Sequence, residues 1–257
     1  MVVWDPAVYA RYKVYRERPA LDLMAQVPAD LEPREVWDLG CGTGEQAVLL
    51  RRRYPAARIH GLDSSAEMLA EARGRDADVD WVQGDVADFS PGAPPDLIFT
   101  NATLQWLPEH QLLFPRLARL LSPGGVFACQ APQTFDTPWH RLLRETAADG
   151  SWAVRLEGVR GVRQVAPPEA YYDWLAPICP VVDIWSTVYL HVLEGPDPVV
   201  EWMRGTGLRP FLQGLADEAE QSAFLDAYRA RLARAFPARS DGLTLFPFPR
   251  LFIVARR

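Results

Sequence analysis

A chain of 257 residues with 49% apolar and 23% charged residues is long enough to bury a sizeable core and has the balance of a globular enzyme. Its net charge of −6 argues against a sequence-independent nucleic-acid binder, which needs a basic stripe. There is no run of about 18 apolar residues to span a membrane, and the N-terminus lacks the basic-then-apolar order of a secretory leader. Cys41, Cys129 and Cys179 are odd in number and widely spaced, so a reducing, cytoplasmic compartment is expected. Neither they nor the four histidines have metal-ligand spacing, and no metal is expected. Lys13 is the only lysine, so nearly every cation is an arginine, which suits bidentate carboxylate binding.

The first segment carries Trp4, Tyr9, Tyr12 and Tyr15, then Arg18-Pro19. Leu21, Leu23, Met24 and Val27 predict a helix over 19–27 packed on a sheet edge. The aromatic stretch before it is a candidate lid, with Arg18 a candidate partner for a ligand carboxylate.

The chain is organised around Val36-Trp37-Asp38-Leu39-Gly40-Cys41-Gly42-Thr43-Gly44: a short apolar strand, an acidic tip and a glycine-alternating turn that runs into a helix over 44–53. Such a turn is expected to leave N–H groups outward and to remove the Cβ atoms that would hold a ligand away. A dinucleotide fingerprint can be fitted through Gly42, Gly44 and Ala47, but that register leaves Asp38 and Gly40 unexplained. A carboxylate aimed into the cradle repels a pyrophosphate and suits a ligand carrying an ammonium and a sulfonium.

Strands and helices then alternate at the pitch of a doubly wound parallel sheet. Strand two, 58–63, ends on Asp63, placed to accept both hydrogen bonds of a ribose diol; Ser64-Ser65 opens a helix that carries Met68. Strand three, 79–84, is followed by Asp85-Val86, and strand four, 95–100, by Asn101-Ala102-Thr103-Leu104-Gln105-Trp106-Leu107-Pro108. This loop is expected to stand over the reacting group, with Gln105 offering a donor and an acceptor and Trp106 an apolar wall. A helix over 109–121 ends at Ser122-Pro123-Gly124-Gly125, and strand five is 126–132. Helices are expected over 138–148 and around 171–175, then across 198–204, 207–214 and 217–235. Long strands over 182–193 and 243–255 should pair antiparallel and close the sheet, the second interrupted near its start by Pro247 and Pro249.

The first motif resembles that of class I S-adenosylmethionine-dependent methyltransferases. The resemblance implies a Rossmann-like, mostly parallel seven-stranded α/β sheet with an antiparallel C-terminal strand and a helical cap. One domain over 1–257 is expected, with a cofactor-binding core at 30–135 and insertions at 149–181 and 196–242. It also implies that Asp85 receives the adenine amino group while Val86 packs on the ring. Arg18, Asp38, Gly40, Gly42, Gly44, Asp63, Ser64, Met68, Asp85, Val86 and Asn101 form the expected S-adenosylmethionine set, and Gln105 and Trp106 the catalytic pair.

The loop 101–108, Gln130-Ala131-Pro132, Val182-Asp183-Ile184-Trp185, Glu201 to Leu212 and Pro247 to Val254 look like the bacterial trans-aconitate 2-methyltransferase family over nearly the whole chain. Thr43 stands where many relatives have proline. That family esterifies one carboxylate of a tricarboxylate to a monomethyl ester. The cationic partners such a substrate needs are expected from Arg204, Arg209 and Arg250, with Tyr189 and His191 beside them. Another small carboxylic acid or a hydroxylated metabolite is the alternative substrate, and a nucleotide-binding oxidoreductase a more distant reading. The sequence leaves the oligomeric state open, a monomer included.

Overall fold

The structure, a computed structural model, describes residues 13–75, 78–159, 161, 165–205 and 207–257. Seven strands form one sheet: β1 Glu35–Leu39, β2 Arg58–Asp63, β3 Val79–Gln83, β4 Leu97–Asn101, β5 Val126–Pro132, β6 Val181–Leu193 and β7 Thr244–Arg256. Their spatial order is β3-β2-β1-β4-β5-β7-β6. The first five pair in parallel, and β7 runs antiparallel to β5. The expected doubly wound sheet is therefore present. The reversal of strand order between β1 and β4 makes the crevice where open α/β sheets take ligands.

Local chemistry explains most boundaries. β4 is buried from Leu97 to Thr100 and β1 from Val36 to Leu39, as parallel strands covered on both faces must be. Ser65 caps the helix Ala66–Arg73 by accepting the Met68 N–H at 3.2 Å, the cap expected from the serine pair.

Two expectations are corrected. The first helix runs Lys13–Gln26, straight through Pro19, whose ring is buried. Proline costs one backbone hydrogen bond there, and the burial of Ala20, Leu23 and Met24 offsets it. Tyr15 and Arg18 thus lie on a helix, while Trp4, Tyr9 and Tyr12 lie outside the described residues. Nor do Pro247 and Pro249 interrupt β7. Both precede Arg250, where the ladder with β5 begins, so no N–H is required of them on that side.

The chain forms two compact units. The sheet unit comprises residues 17–132, 166–187 and 250–257. One core of this unit joins Leu39, Ile98, Phe114, Phe127, Tyr171 and Ile253. The second unit comprises 133–165 and 188–249 with the start of the first helix. Its core is aromatic, with Trp139, Trp152, Trp202, Phe224, Tyr228 and Phe246 all buried. The helices Pro138–Ala148 and Glu218–Ala235 are joined in it by the Tyr228 hydroxyl, which donates to the Trp139 carbonyl at 3.0 Å. The stretch 149–181, expected as one insertion, divides at Val165, because Tyr171 and Leu175 pack in the core of the sheet unit.

Candidate active site

The strand tips bring three carboxylates onto neighbouring strands. Asp38 on β1 pairs in register with Gly61 of β2, and Asp63 at the end of β2 with Gln83 of β3, just before Asp85. Asp38 is 1% exposed, and its Oδ2 has no hydrogen-bond partner among the described residues. Burial above all, with Asp63 and Glu45 adding repulsion, pushes its carboxyl up to about 8, against the pull of the Ala47 N–H. A positive charge brought against this carboxyl would favour its ionised form.

The three glycines of the turn do different things. All have positive φ (Gly40 73°, Gly42 54°, Gly44 87°). A Cβ on Gly40 would lie 2.2 Å from the Thr103 side chain, and one on Gly44 2.5 Å from the Trp81 ring. Those two let the protein pack on itself. A Cβ on Gly42 would meet nothing within 4 Å, so the open side of the cradle is there.

The expectation of outward N–H groups is corrected. Gly40 and Cys41 donate to the Leu62 carbonyl, Gly44 to that of Cys41, and Gly42 to Asp63 Oδ2 at 2.8 Å. With these donors used internally, the turn offers a carboxylate and space, a poor receptor for pyrophosphate. Asp63 also accepts the Ser65 N–H at 2.9 Å through Oδ1. Asp85 is exposed and caps the short 3-10 turn Val86–Asp88 through the Ala87 N–H. Arg116 holds that turn by donating to the Val86 and Phe89 carbonyls at 2.8 and 2.7 Å, and Val86 is buried. Ser64 lies between Asp63 and the helix Ala66–Arg73, and Met68 is exposed in the first turn of that helix.

Asn101 ends β4, and Ala102 after it adopts a φ of 54°, which an alanine holds only at a cost. A 3-10 turn, Leu104–Trp106, follows. Gln105 is buried and donates to the Ala102 carbonyl at 2.7 Å. Asn101 Oδ1 and Gln105 Oε1 have no partner among the described residues. Trp106, expected as an enclosing wall, is 54% exposed. The turn is fastened from behind by His110, whose Nε2 donates to the Leu104 carbonyl at 2.9 Å. That leaves Nδ1 of a neutral imidazole to accept from the Tyr171 hydroxyl at 2.6 Å.

Further along the same edge, Arg250 on β7 is 4% exposed and donates to Gln130 Oε1 on β5 at 3.1 Å. Gln130 is fully buried, and its Nε2 has no hydrogen-bond partner among the described residues. Sequence reasoning gave this glutamine no role, although a lone amide in the apolar run Val126 to Ala131 was a signal that could have found it. Arg18 is exposed and lies 3.8 Å from Asp22 on its own helix.

The remaining expected substrate residues belong to the helical unit. Tyr189 and His191 are buried on one face of β6, where His191 stacks 4.8 Å from Trp202 and lies 4.5 Å from Tyr15. Arg204 is within 3.2 Å of Glu201, and Arg209 is exposed.

A sheet of this order, with an acidic cradle at its switch point, defines the class of α/β methyltransferases, and a methyltransferase-domain family model matches residues 36–125. The solved YcgJ protein of Bacillus subtilis shares the fold with a TM-score of 0.58 at 16% identity, covering 93% of this chain and 98% of that one. Geranyl diphosphate C-methyltransferase of Streptomyces coelicolor does so with a TM-score of 0.54 at 17% identity, covering 97% and 82%. Much nearer in sequence are the trans-aconitate 2-methyltransferase of Azoarcus sp. (strain BH72), 49% identical over the full length of both chains, and that of Methylobacterium nodulans, 51% identical over 100% of this chain and 99% of that one. The chain belongs to the trans-aconitate 2-methyltransferase family.

Proposed function

We propose that this chain is an S-adenosylmethionine-dependent carboxyl O-methyltransferase of the cytoplasm that converts trans-aconitate to its monomethyl ester. The observation that carries the reading is Asp38: a carboxyl group 1% exposed, with an oxygen lacking a partner among the described residues, on the strand that runs into Gly42, where an added Cβ would meet nothing within 4 Å. An ammonium there would satisfy that oxygen and favour its charged form. Full-length relatives at 49–51% identity support the substrate.

The residues present suit the cofactor in chemical kind. Asp38 and Asn101 Oδ1 are acceptors for its ammonium, with Gly40 and Gly44 shaping the turn around Gly42. Asp63 keeps lone pairs for a ribose diol beyond the two N–H groups it already accepts. Asp85 and Val86, with Ser64 and Met68, are the residues assigned to adenine, and Arg18 is the cation assigned to the cofactor's own carboxylate.

The chemistry supplied by S-adenosylmethionine when bound is a methyl on a sulfonium, whose passage to a carboxylate oxygen forms one C–O bond, breaks one C–S bond and moves no proton. The protein therefore has to supply no nucleophile and no general base. Its residues orient the acceptor and exclude water, so that opposite charges meet in a poorly solvated site. Gln105 and Trp106 are the residues assigned to holding the acceptor in line. Arg250 pairs with a carboxylate that does not react, because a guanidinium on the attacking oxygen would blunt it. Arg209, Arg204, Tyr189 and His191 complete the assigned substrate set.

Labelled methyl transfer to a panel of di- and tricarboxylates tests the reading, with an alkali-labile ester of trans-aconitate as the expected product. Methylation of phenols with none of trans-aconitate would overturn it.

A further inference from the structure

The buried polar groups along the sheet edge differ in what they lack, and the difference follows strand order. On β1 and β4 the unmatched atoms are acceptors: Asp38 Oδ2 and Asn101 Oδ1, with Gln105 Oε1 in the loop that follows. On β5 the unmatched atom is a donor, Gln130 Nε2, and on β7 stands a cation, Arg250. Asn101 and Gln130 are direct register partners, so the change from acceptor to donor falls across one interstrand step of about 4.8 Å.

The orientation of the Gln130 amide follows from its neighbour. Pro132 pairs with Arg250, and Gln130 is two residues back on the same face, within reach of a diagonal cross-strand contact. Its oxygen must face the guanidinium, since two donors facing each other would repel. The NH2 group is therefore turned away from Arg250 with its hydrogens unspent. Such a donor, buried without a partner, has given up its bond to water and gained none in return. A ligand oxygen would supply the missing acceptor, and beside a cation that oxygen is best an anionic one.

We propose that Gln130 is a substrate-binding residue: its Nε2–H and the Arg250 guanidinium together receive one non-reacting carboxylate of the substrate, on the strand step next to the acceptors facing the cofactor. The inference rests on the carboxyl-methyltransferase reading and adds the residue that selects an anion. Cation and anion are thereby held on adjacent strands, which is the juxtaposition a methyl transfer between them needs. Because Gln130 also accepts from Arg250, it fixes that side chain's direction, so the two act as a unit.

The test compares the wild type with Gln130→Glu and Gln130→Met. Steady-state kinetics are run with S-adenosylmethionine and trans-aconitate, cofactor affinity is read by calorimetry and the folded state by thermal midpoint. Glu keeps an oxygen for Arg250, so Gln130→Glu is expected to fold with an unchanged or higher midpoint. It puts a negative charge where the substrate's belongs, and KM for trans-aconitate is expected to rise at least 30-fold while the cofactor Kd stays within about twofold. Gln130→Met, which loses the donor without adding charge, is expected to raise KM about tenfold and decides the matter if the Glu variant fails to fold. An unchanged KM in a folded variant overturns the proposal, and so does a parallel loss of cofactor affinity. The wild-type panel separates the two readings: esterification of a different polycarboxylate with the same Gln130 dependence upholds the subsite while removing trans-aconitate, and a wild type active only on neutral acceptors removes both.

Discussion

Gly42 donates its backbone N–H to Asp63 Oδ2 at 2.8 Å, so the carboxylate at the tip of β2 holds the glycine turn at the tip of β1. The other oxygen of Asp63 holds the Ser65 N–H, and one side chain thereby ties the cradle to the start of the next helix. The ribose role proposed for Asp63 is therefore coupled to the geometry of the turn.

Asp63→Ala is accordingly expected to weaken cofactor binding by two orders of magnitude or more and also to lower the thermal midpoint of the free protein. Hydrogen bonds to a charged group contribute about 1.5–3 kcal/mol each. Asp63→Asn retains one acceptor and should lie between the two. Calorimetry and a melting curve read both effects; an Ala variant with intact affinity would remove Asp63 from the cofactor set.

Asp38 makes stability depend on pH in a defined sense. Its folded pKa of about 8 lies above the ordinary 3.8, so between those values the folded state holds a proton that the unfolded state has released. This contribution therefore favours folding at low pH and is lost as pH rises toward 8. Asp38→Asn lacks the slope: it is expected to melt higher than the wild type at pH 8.5 without cofactor, by less at pH 5, and to bind cofactor poorly at both. In the wild type, S-adenosylmethionine binding at pH 7 should release up to one proton. Calorimetry in buffers of different ionisation enthalpy measures that release, and its absence would count against a cation at Asp38.

Arg250 and the outer arginines are expected to behave differently. Arg250 is 4% exposed and fixed by Gln130, whereas Arg209 is exposed and Arg204 already lies against Glu201. Arg250→Ala should raise KM for the acceptor about a hundredfold with cofactor affinity preserved, and Arg250→Lys should not restore it, because a point charge cannot reproduce a planar fork. Arg204→Ala and Arg209→Ala are expected to raise KM by less. The reverse ranking would move the principal clamp to the helical unit.

The hydroxyl of Tyr171 donates to His110, and His110 in turn holds the Leu104 carbonyl. Tyr171→Phe removes the hydroxyl's bond to the buried His110 imidazole and the acceptor of the Ala166 N–H. A loss of about 1–3 kcal/mol in unfolding free energy is expected. Chemical denaturation monitored by tryptophan fluorescence checks it, and a neutral substitution would show that water satisfies the imidazole.

What the sequence determined by itself was local or periodic. β1, the glycine turn and the helix beginning at Glu45 were legible because strand burial, left-handed glycines and a helix start are set by residues a few positions apart. β2, β5 and the helix Pro138–Ala148 were read to the residue for the same reason. The negative charge at Asp38 was enough to turn the reading from pyrophosphate toward a cation before any neighbour was known.

Only the tertiary structure decided which glycine faces open space, because the side chain packed on Gly40 is Thr103, from the loop after β4, and the ring over Gly44 is Trp81, from the middle of β3. It alone turned the expected outward N–H groups inward, through Asp63 and the Leu62 carbonyl. It let Pro19 stay within a helix and Pro247 and Pro249 within a strand, since neighbouring burial and ladder position outweigh intrinsic preference. And it brought the Gln130 amide against Arg250, 120 positions away in the chain, leaving its NH2 unmatched. Hydrogen-bond supply and demand is a property of three-dimensional neighbours, and no pattern along one chain records which donors are already spent.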